Sequence, residues 1–465
     1  MSRPNRQSRD CGAEQQHLMR DQAPSCSSHL LRISHCSQRQ VSVPSIEPRG
    51  GSQLLHSTTE QMPLFKLPNE LLISIAEHLD ISGINNFSRA NRRLCILLTS
   101  LLHDRMDHDY VLLWAAKHQR KALLEIALEK GADIEAADDS GRNALSWAAA
   151  SGYSDIIFYL LDGGADIESK DFLTMTALHR AAIHGTERTV TILLERGANV
   201  AACTSVDDTA LHWASFHGHL GVAKILLDAG APVDAKGGQL KYTPLISAAY
   251  TGWDEVVKLL LDYKAEISAH TNQNDTALHY AVAANSTSIA NILLDRGASI
   301  ESPGSNQITP LGVAAHRGHL EVAKMLRQRG GNVLARNVEG QTPLHLATRD
   351  GHVDMVRQLL DDGADIAARD KLGKTALHTA AVYAHEQTMM MLVSRGASLL
   401  IKDEEEQMPY DIAVTCGWKD IADALLDPKM GSLLSPRRRK WRRRAGDWMK
   451  SLESSIHRKK GKSVP

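Results

Sequence analysis

The chain has 465 residues, a formal net charge of −1 at pH 7 and 43% hydrophobic residues. This near-neutral charge excludes long-range steering of a charged partner by the chain as a whole. No run of about eighteen apolar residues occurs, so we expect no membrane-spanning helix, and the N-terminus lacks the apolar centre of a secretory signal. The six cysteines show no CxxC spacing, which predicts reduced thiols.

Residues 1–61 are rich in Ser, Gln and Arg and have few periodic apolar residues. A segment of this composition cannot bury enough apolar surface to fold, so we expect a disordered arm. Cys26, His29, His35 and Cys36 do not have the spacing of a common structural zinc site, and we predict no metal there. The composition is compatible with a mitochondrial presequence, but the intervening acidic residues argue against one.

Residues 62–106 carry the apolar pattern of three short helices. Pro68 stands at the start of the first helix, where its missing N–H group is not needed. Leu71, Ile75 and Leu79 fall on one apolar stripe of that helix. Helices this short make a small core, so a partner or the adjacent part of the chain would have to complete their burial.

The same segment resembles an F-box, in the pattern Leu-Pro-x-Glu-Leu-Leu-x-x-Ile-x-x-x-Leu and in the basic Asn-Arg-Arg-Leu element at residues 91–94. It departs from that family at residues 80–83, where Asp-Ile-Ser-Gly replaces an acidic residue followed by Leu. The resemblance implies docking on the Skp adaptor of a cullin-based SCF ubiquitin ligase. Alternatively, the three helices only cap the apolar end of the segment that follows. The implied adaptor-binding residues are Leu67, Pro68, Leu71, Leu72, Ile75, Leu79, Ile84 and Phe87.

From residue 107 onwards the sequence repeats itself. Successive repeats lie 33 residues apart, with a single step of 34. A fixed period of this length is typical of a solenoid built from one supersecondary unit. The tetrapeptide Thr-Ala-Leu-His, or a variant of it, starts at Asn143, Thr176, Thr209, Thr243, Thr276, Thr309, Thr342, Thr375 and Met408.

Each unit has the same internal order. Its Thr can cap a short Ala-rich helix, a Gly break follows, and a second helix carries a Leu pair. A Gly-Ala-Asp-Ile sequence or a near copy then follows, as at Gly131, Gly164 and Gly363, where a left-handed glycine would end the helix. The small Ala face would let helices stack closely, and the Leu face would fill the seam between neighbours.

This pattern resembles the ankyrin repeat family over about residues 107–427. The resemblance implies an all-α solenoid of about ten helix pairs with β-hairpin tips. The first unit, at Tyr110, and the last, at Met408, match poorly, as expected of terminal caps. The single step of 34 residues, between Thr209 and Thr243, adds one residue to a repeat. This extra residue falls within residues 236–242 and should lengthen or bulge one tip. Members of the family bind partners on the concave side, through the tips and the inner-helix residues beside the Gly break.

Large apolar and aromatic residues concentrate at these positions between Phe172 and Tyr250. Exposed clusters of this kind mark interaction sites, and aromatic anchors dominate interface energies. Some of the rings could instead fold back onto adjacent tips. The substrate patch that we predict consists of Phe172, Met175, Phe216, Tyr242 and Tyr250.

The histidines of the repeated motif lie one repeat apart, which is too far to share a metal ion, and we expect them to hydrogen-bond the turn backbones of adjacent units. Trp147, Trp213 and Tyr280 follow the His position and are expected mostly in the core. No Gly-rich phosphate loop, HExxH or GxSxG motif is present. We therefore predict no catalytic residue, metal, cofactor or small-molecule ligand, and no enzyme.

Residues 428–465 form a basic tail. Clusters of this kind act as nuclear localisation signals, nucleic-acid contacts or anchors to anionic membranes. We expect nuclear import, with membrane or nucleic-acid contact and a merely solvated tail as alternatives. The cluster consists of Arg437, Arg438, Arg439, Lys440, Arg442, Arg443 and Arg444.

Together these patterns predict the substrate-recognition subunit of an SCF-type E3 ubiquitin ligase. The F-box would dock the Skp adaptor and thereby the cullin core, and the concave face would hold a protein substrate at a high effective concentration near the ubiquitin-charged enzyme. The alternative is an ankyrin scaffold or nuclear regulator without ligase association. Either role implies a location in the nucleus, the cytoplasm or both.

Overall fold

The computed structural model describes residues 108–418, and all structural statements below refer to that range. Its regular structure is a series of paired α-helices and one short 3₁₀ turn, Ser305–Gln307. We call the first helix of each pair inner and the second outer. The inner helices are α1 (His108–Lys117), α3 (Ala144–Ser151), α5 (Ala177–His184), α7 (Ala210–His217), α9 (Pro244–Thr251), α11 (Ala277–Ala283), α13 (Pro310–Arg317), α15 (Pro343–Arg349), α17 (Ala376–Val382) and α19 (Pro409–Thr415). The outer helices are α2 (Lys121–Glu129), α4 (Ser154–Asp162), α6 (Glu187–Glu195), α8 (Leu220–Asp228), α10 (Asp254–Asp262), α12 (Thr287–Asp295), α14 (Leu320–Gln328), α16 (Val353–Asp361) and α18 (Glu386–Ser394).

Nine complete pairs and the inner helix of a tenth therefore lie in the described range. This confirms the predicted all-α solenoid of about ten units. The predicted second half of the last unit lies outside the described residues. None of the helices in the described range is both long and apolar enough to cross a bilayer.

The described chain divides into two compact units. The N-terminal unit comprises residues 108–214 and 221–231, and the C-terminal unit comprises residues 215–220 and 232–418. In the N-terminal unit α3 packs between α1 and α5, and α4 packs against α6. In the C-terminal unit each inner helix from α9 to α19 packs on the next inner helix, and α10 to α18 pack likewise among the outer helices. Each unit is thus a stack in which every repeat contacts its sequence neighbours.

Helix starts and ends follow from the residues at the repeated positions. Thr243 and Thr309 accept hydrogen bonds from the backbone N–H three residues later, at 3.4 and 3.3 Å, as N-caps do. The Gly break closes α5 and α13 in the left-handed conformation, with φ of 71° at Gly185 and 73° at Gly318. These positions need φ > 0, which glycine adopts without a Cβ clash.

The core of each unit consists of alanines on the inner helices and leucines on both helices. Ala181 and Ala182 of α5 and Ala314 and Ala315 of α13 are completely buried. Side chains this small let neighbouring inner helices approach closely, and larger residues such as Leu193 of α6, also completely buried, fill the remaining space. The Ala-rich and Leu-rich segments thus have the separate packing roles that their spacing predicted.

The tips between successive repeats are tight turns. The β-hairpins that we predicted there are reduced to isolated antiparallel bridges, as between Cys203 and Thr209. The described residues contain no longer strand pairing, because the backbone groups of a tip also bond to the neighbouring tip. The N–H of Phe172 donates to the carbonyl of Ser140 at 3.1 Å, and the N–H of Lys371 donates to that of Glu339 at 2.9 Å. Each tip is therefore held by its neighbour.

Residues 236–242 form the longer tip that the extra residue predicted. The N–H of Gly237 donates to the carbonyl of Tyr242 at 2.9 Å, and Gly238 has a φ of 64°. A Cβ at Gly238 would lie 2.2 Å from the Tyr242 ring, so the absence of a side chain allows the ring to pack over the turn.

Candidate protein-binding surfaces

A row of buried histidines forms the polar framework of both units. In the N-terminal unit, the Nδ1 atom of His179 accepts the N–H of Thr176 at 3.2 Å. A backbone N–H can only donate, so Nε2 carries the proton of the neutral ring and donates to the carbonyl of Asp208 at 3.2 Å. In the C-terminal unit, His345 makes the same pair of bonds to Thr342 and to Lys374, at 3.2 and 3.1 Å. Each ring caps its own helix, which we did not predict, and tethers the next tip, which we did.

Burial keeps these rings neutral. It lowers the pKa of His179 to about 4, although the carbonyl of Asp208 partly offsets this effect. The pKa values of His279, His345 and His378 are also lowered, in each case mainly by burial. A charged imidazolium would lose its hydration there without a nearby counter-ion of equal effect.

A second set of hydrogen bonds starts at the residue after the Gly break, or after Ala384 in the repeat that lacks this glycine, and runs back to the preceding inner helix. In the C-terminal unit His352 donates to the carbonyl of His316 at 3.0 Å, and His385 donates to that of Arg349 at 2.8 Å. Trp253 replaces the histidine in an earlier repeat and donates from Nε1 to the carbonyl of Phe216 at 3.0 Å. These side chains therefore serve the fold, and the described residues contain no cluster of His, Cys, Asp and Glu that could hold a metal ion.

The N-terminal unit exposes an apolar surface at its tips. Phe172 is 77% exposed and Leu173 53% exposed, and Val206 of the next tip is 39% exposed. Met175, which we predicted in the same patch, is only 3% exposed. That part of the prediction is wrong, because the turn, in which Asp171 accepts the N–H of Met175 at 2.9 Å, places the Met175 side chain in the core.

The other residues of the predicted patch belong to the C-terminal unit, where Phe216, Tyr242 and Tyr250 are all half-buried. The Tyr250 ring meets Tyr280 edge to face, with centroids 5.9 Å apart. This unit also exposes Trp253, which is 43% exposed and which our sequence analysis missed. Its position after the Gly break is a capping position, and only its aromatic type could have drawn attention to it.

The position after the motif histidine is more varied than the predicted core role. Trp213 is 5% exposed and confirms that role. Trp147, however, is half-buried, and its ring has two cations over it: Nζ of Lys117 lies 4.2 Å and Cζ of Arg142 lies 3.9 Å from its centroid. Such cation–π contacts attract a cation without neutralising it. Because Trp147 is only half-buried, its ring and these two cations form part of the solvent-facing surface.

Hydrogen bonds to Asp138 hold Trp147 and Arg142 in this arrangement. Its Oδ2 accepts the indole Nε1–H of Trp147 and the Nε–H of Arg142, both at 3.1 Å. Burial alone would raise the pKa of Asp138, but hydrogen bonds from the backbone of Arg142 and Ser140 and from the Arg142 side chain outweigh it and lower the pKa. The carboxylate therefore stays ionised and holds both partners in place.

Three predicted regions lie outside the described residues: the arm at 1–61, the F-box at 62–106 and the tail at 428–465. All residues predicted to bind the adaptor and all basic residues of the tail cluster belong to them. They stay predictions from the sequence. These residues are Leu67, Pro68, Leu71, Leu72, Ile75, Leu79, Ile84 and Phe87, and Arg437, Arg438, Arg439, Lys440, Arg442, Arg443 and Arg444.

The fold and its variable, partly apolar tips define a repeat protein of the kind that binds other proteins. Sequence models of ankyrin repeats match residues 88–171, 172–237, 233–304 and 301–370, and a single-repeat model matches residues 372–404. The chain belongs to the ankyrin repeat family. Ankyrin repeats are protein-interaction modules and in general have no catalytic activity. The first match begins inside the segment predicted as an F-box, so the boundary at residue 106 stays a prediction.

One solved structure that resembles the chain is the ankyrin repeat domain of human ASB11. It is 28% identical, and the match covers 48% of this chain and 99% of that domain with a TM-score of 0.45. The comparison with curated protein sequences found no match.

Proposed function

We propose that this protein recognises a protein substrate for an SCF-type ubiquitin ligase. The observation that supports the recognition half is the exposure of Phe172 and Leu173 on a tip that is otherwise held rigidly. Aromatic and large apolar side chains on a fixed backbone bind with little loss of conformational entropy, which favours a protein partner. In the C-terminal unit Phe216, Tyr250 and Trp253 offer a second aromatic surface of the same kind.

The ligase half of the proposal rests on the sequence pattern of residues 62–106 alone. In that pattern Leu67, Leu71 and Leu72 would enter the Skp adaptor, and the repeats would present the bound substrate to the cullin core. A scaffold or nuclear regulator with the same repeats but no adaptor is the competing role. The two roles differ in a single property, which is binding of the adaptor.

Co-purification of the Skp adaptor with the full-length chain tests this directly. We expect the adaptor to bind the intact chain and to be lost from the double variant Leu71→Asp and Leu72→Asp, because two carboxylates would have to be buried unpaired in the contact. Circular dichroism should show unchanged helicity. The matched control is Phe216→Ala with Tyr250→Ala, which should keep the adaptor and weaken substrate capture. Absence of the adaptor from the intact chain would leave the scaffold role.

We also propose that the basic tail directs the protein to the nucleus. The support is the density of Arg and Lys between residues 437 and 444. Deletion of residues 436–465 from a fluorescent fusion should then shift the signal to the cytoplasm. An unchanged nuclear signal would reject this role and favour membrane or nucleic-acid contact of the tail.

A further inference from the structure

In the first three repeats, tryptophan and arginine side chains line up at one repeated position of the inner helices. Trp114, Trp147 and Arg180 occupy the same repeat position in α1, α3 and α5, and Lys117 and Arg142 flank the middle ring. We call these five residues the tryptophan–cation row. All of them belong to the N-terminal unit. The row ends before Trp213, which occupies the next equivalent position, because that side chain is buried in the core.

The charges of this row are unequally satisfied. Arg142 is paired with Asp138 at 3.0 Å, and Arg180 is paired with Asp171, whose side chain is completely buried. Lys117 is exposed and stands over the Trp147 ring, and no described carboxylate lies within ion-pairing distance of it. Because the cation–π contact leaves the ammonium charge uncancelled, the row presents a positive charge that is held in a fixed position.

We propose that the tryptophan–cation row binds an extended protein segment rich in Asp and Glu. This deepens the proposed function, on which it rests, by giving the chemistry of the partner. An acidic side chain would pair with Lys117 beside an apolar indole surface, where the attraction is stronger than in open water. Arg142 and Arg180 are each offset by their own carboxylate, so the segment would be recognised through the Lys117 ammonium and the indole surface beside it.

Two other anionic partners fit the row less well. Sequence-tolerant binding of single-stranded nucleic acid uses open aromatic faces on which bases stack. Here Lys117 and Arg142 already occupy the Trp147 ring, and Trp114 is stacked on His118 with centroids 4.4 Å apart. Recognition of a phosphorylated residue typically uses the fork of a free guanidinium, whereas Arg142 and Arg180 are both committed to carboxylates.

Fluorescence anisotropy with the full-length protein and dye-labelled peptides tests the proposal. The probes are a peptide in which Glu alternates with Ala, its analogue with Gln for every Glu, a phosphothreonine peptide and a single-stranded oligonucleotide. To remove competition from the tail, the seven basic residues of the cluster at 437–444 are replaced by Ser throughout. We expect the Glu peptide to bind about tenfold or more tightly than the Gln peptide and to weaken as salt is added.

Variants of a single lysine locate the site. Lys117→Glu should weaken binding of the Glu peptide by about tenfold, and Lys117→Arg should retain it. The matched control is Lys224→Glu, which reverses an exposed charge on the outer helix α8 of the same unit and should change nothing. Equal binding of the Gln peptide, or no effect of Lys117→Glu, would overturn the proposal.

The remaining outcomes are equally decisive. Tighter, Lys117-dependent binding of the oligonucleotide or the phosphopeptide would replace the acidic segment by that ligand and reject the proposal. Failure of the Glu peptide together with normal co-purification of the adaptor would reject the partner chemistry and leave the proposed function intact. If only the adaptor fails to bind, the ligase half of the proposed function is rejected, and the peptide result still decides the partner chemistry.

Discussion

Two tips of this protein have the same backbone and different surfaces. The Asp171 carboxylate accepts the N–H groups of Leu173 and Met175, both at 2.9 Å. The Asp370 carboxylate accepts the equivalent pair, from Leu372 and Lys374, at 3.0 and 2.8 Å. In both turns the residue before the last has a left-handed φ, 58° at one tip and 73° at the other. The same short-range bonds therefore build both turns.

The turns share an exposed leucine and differ in the residue before it. The first tip exposes Phe172 and Leu173, and the second exposes Lys371 and Leu372. The exposed side chains contribute little to folding, because the turn is held by its Asp and by its neighbours. They are free to vary from repeat to repeat, and this is the part of the molecule in which partner specificity can be encoded.

The two tips also differ in how they are tethered. His345 of the preceding repeat donates to the carbonyl of Lys374, whereas Ser146 occupies the histidine position before the first tip. The tip at 370–374 therefore depends on a buried ring, and the tip at 171–175 does not. This difference can be removed by mutation or by acid.

The largest effect is expected from His345→Ala. This change removes a buried cap and the tether to Lys374 and leaves a cavity, and we expect a loss of about 3 kcal/mol in the free energy of unfolding. Urea unfolding followed by circular dichroism measures it. Ser146→Ala is the matched control and should cost about 1 kcal/mol or less. Equal losses in both variants would show that the tether adds nothing to stability.

An effect of intermediate size is expected from mild acid. The pKa of His179 is about 4 in the folded protein and about 6.5 in the unfolded chain, so the unfolded chain binds more protons between these values. The stability that neutral His179 contributes is complete above about pH 6.5 and is lost as the pH falls toward 4. From pH 7 to 5 this amounts to about 2 kcal/mol for this residue.

Urea midpoints measured across that range check the prediction. The variant His179→Gln can keep a cap at the helix start but cannot titrate. Its stability should therefore fall less between pH 7 and 5 than that of the original chain. Parallel pH profiles of the two proteins would contradict the assignment of the acid sensitivity to this ring.

The smallest effect on stability is expected at the exposed tip. Replacing Phe172 and Leu173 by Ser together should change the free energy of unfolding by about 0.5 kcal/mol or less, because Phe172 is 77% exposed and Leu173 53% exposed. The same double variant should lose substrate capture while keeping the adaptor. A stability loss as large as that of His345→Ala would mean that these residues belong to the core and would remove the main support for the recognition surface.

The repeat period was enough to predict the helix pairs and their caps. Thr176 and Gly185 mark the start and end of α5, and the motif histidines proved to be buried framework residues. These features depend on contacts within one repeat or between neighbours at a fixed spacing, and a fixed spacing is visible in the sequence. Phe172 and Met175 show where this reasoning fails, because both are large and apolar and stand in the same turn.

The sequence by itself therefore determined the solenoid architecture, the repeated helix pairs and the polar bonds that join adjacent repeats. Only the tertiary structure decided which apolar tip residues face water, since Phe172 is 77% exposed while Met175 of the same turn is 3% exposed. It also decided that Trp147 joins Lys117 and Arg142 at the surface while Trp213 is buried. Equivalent positions differ in this way because exposure depends on the side chains that neighbouring repeats supply, and the repeat pattern does not specify them.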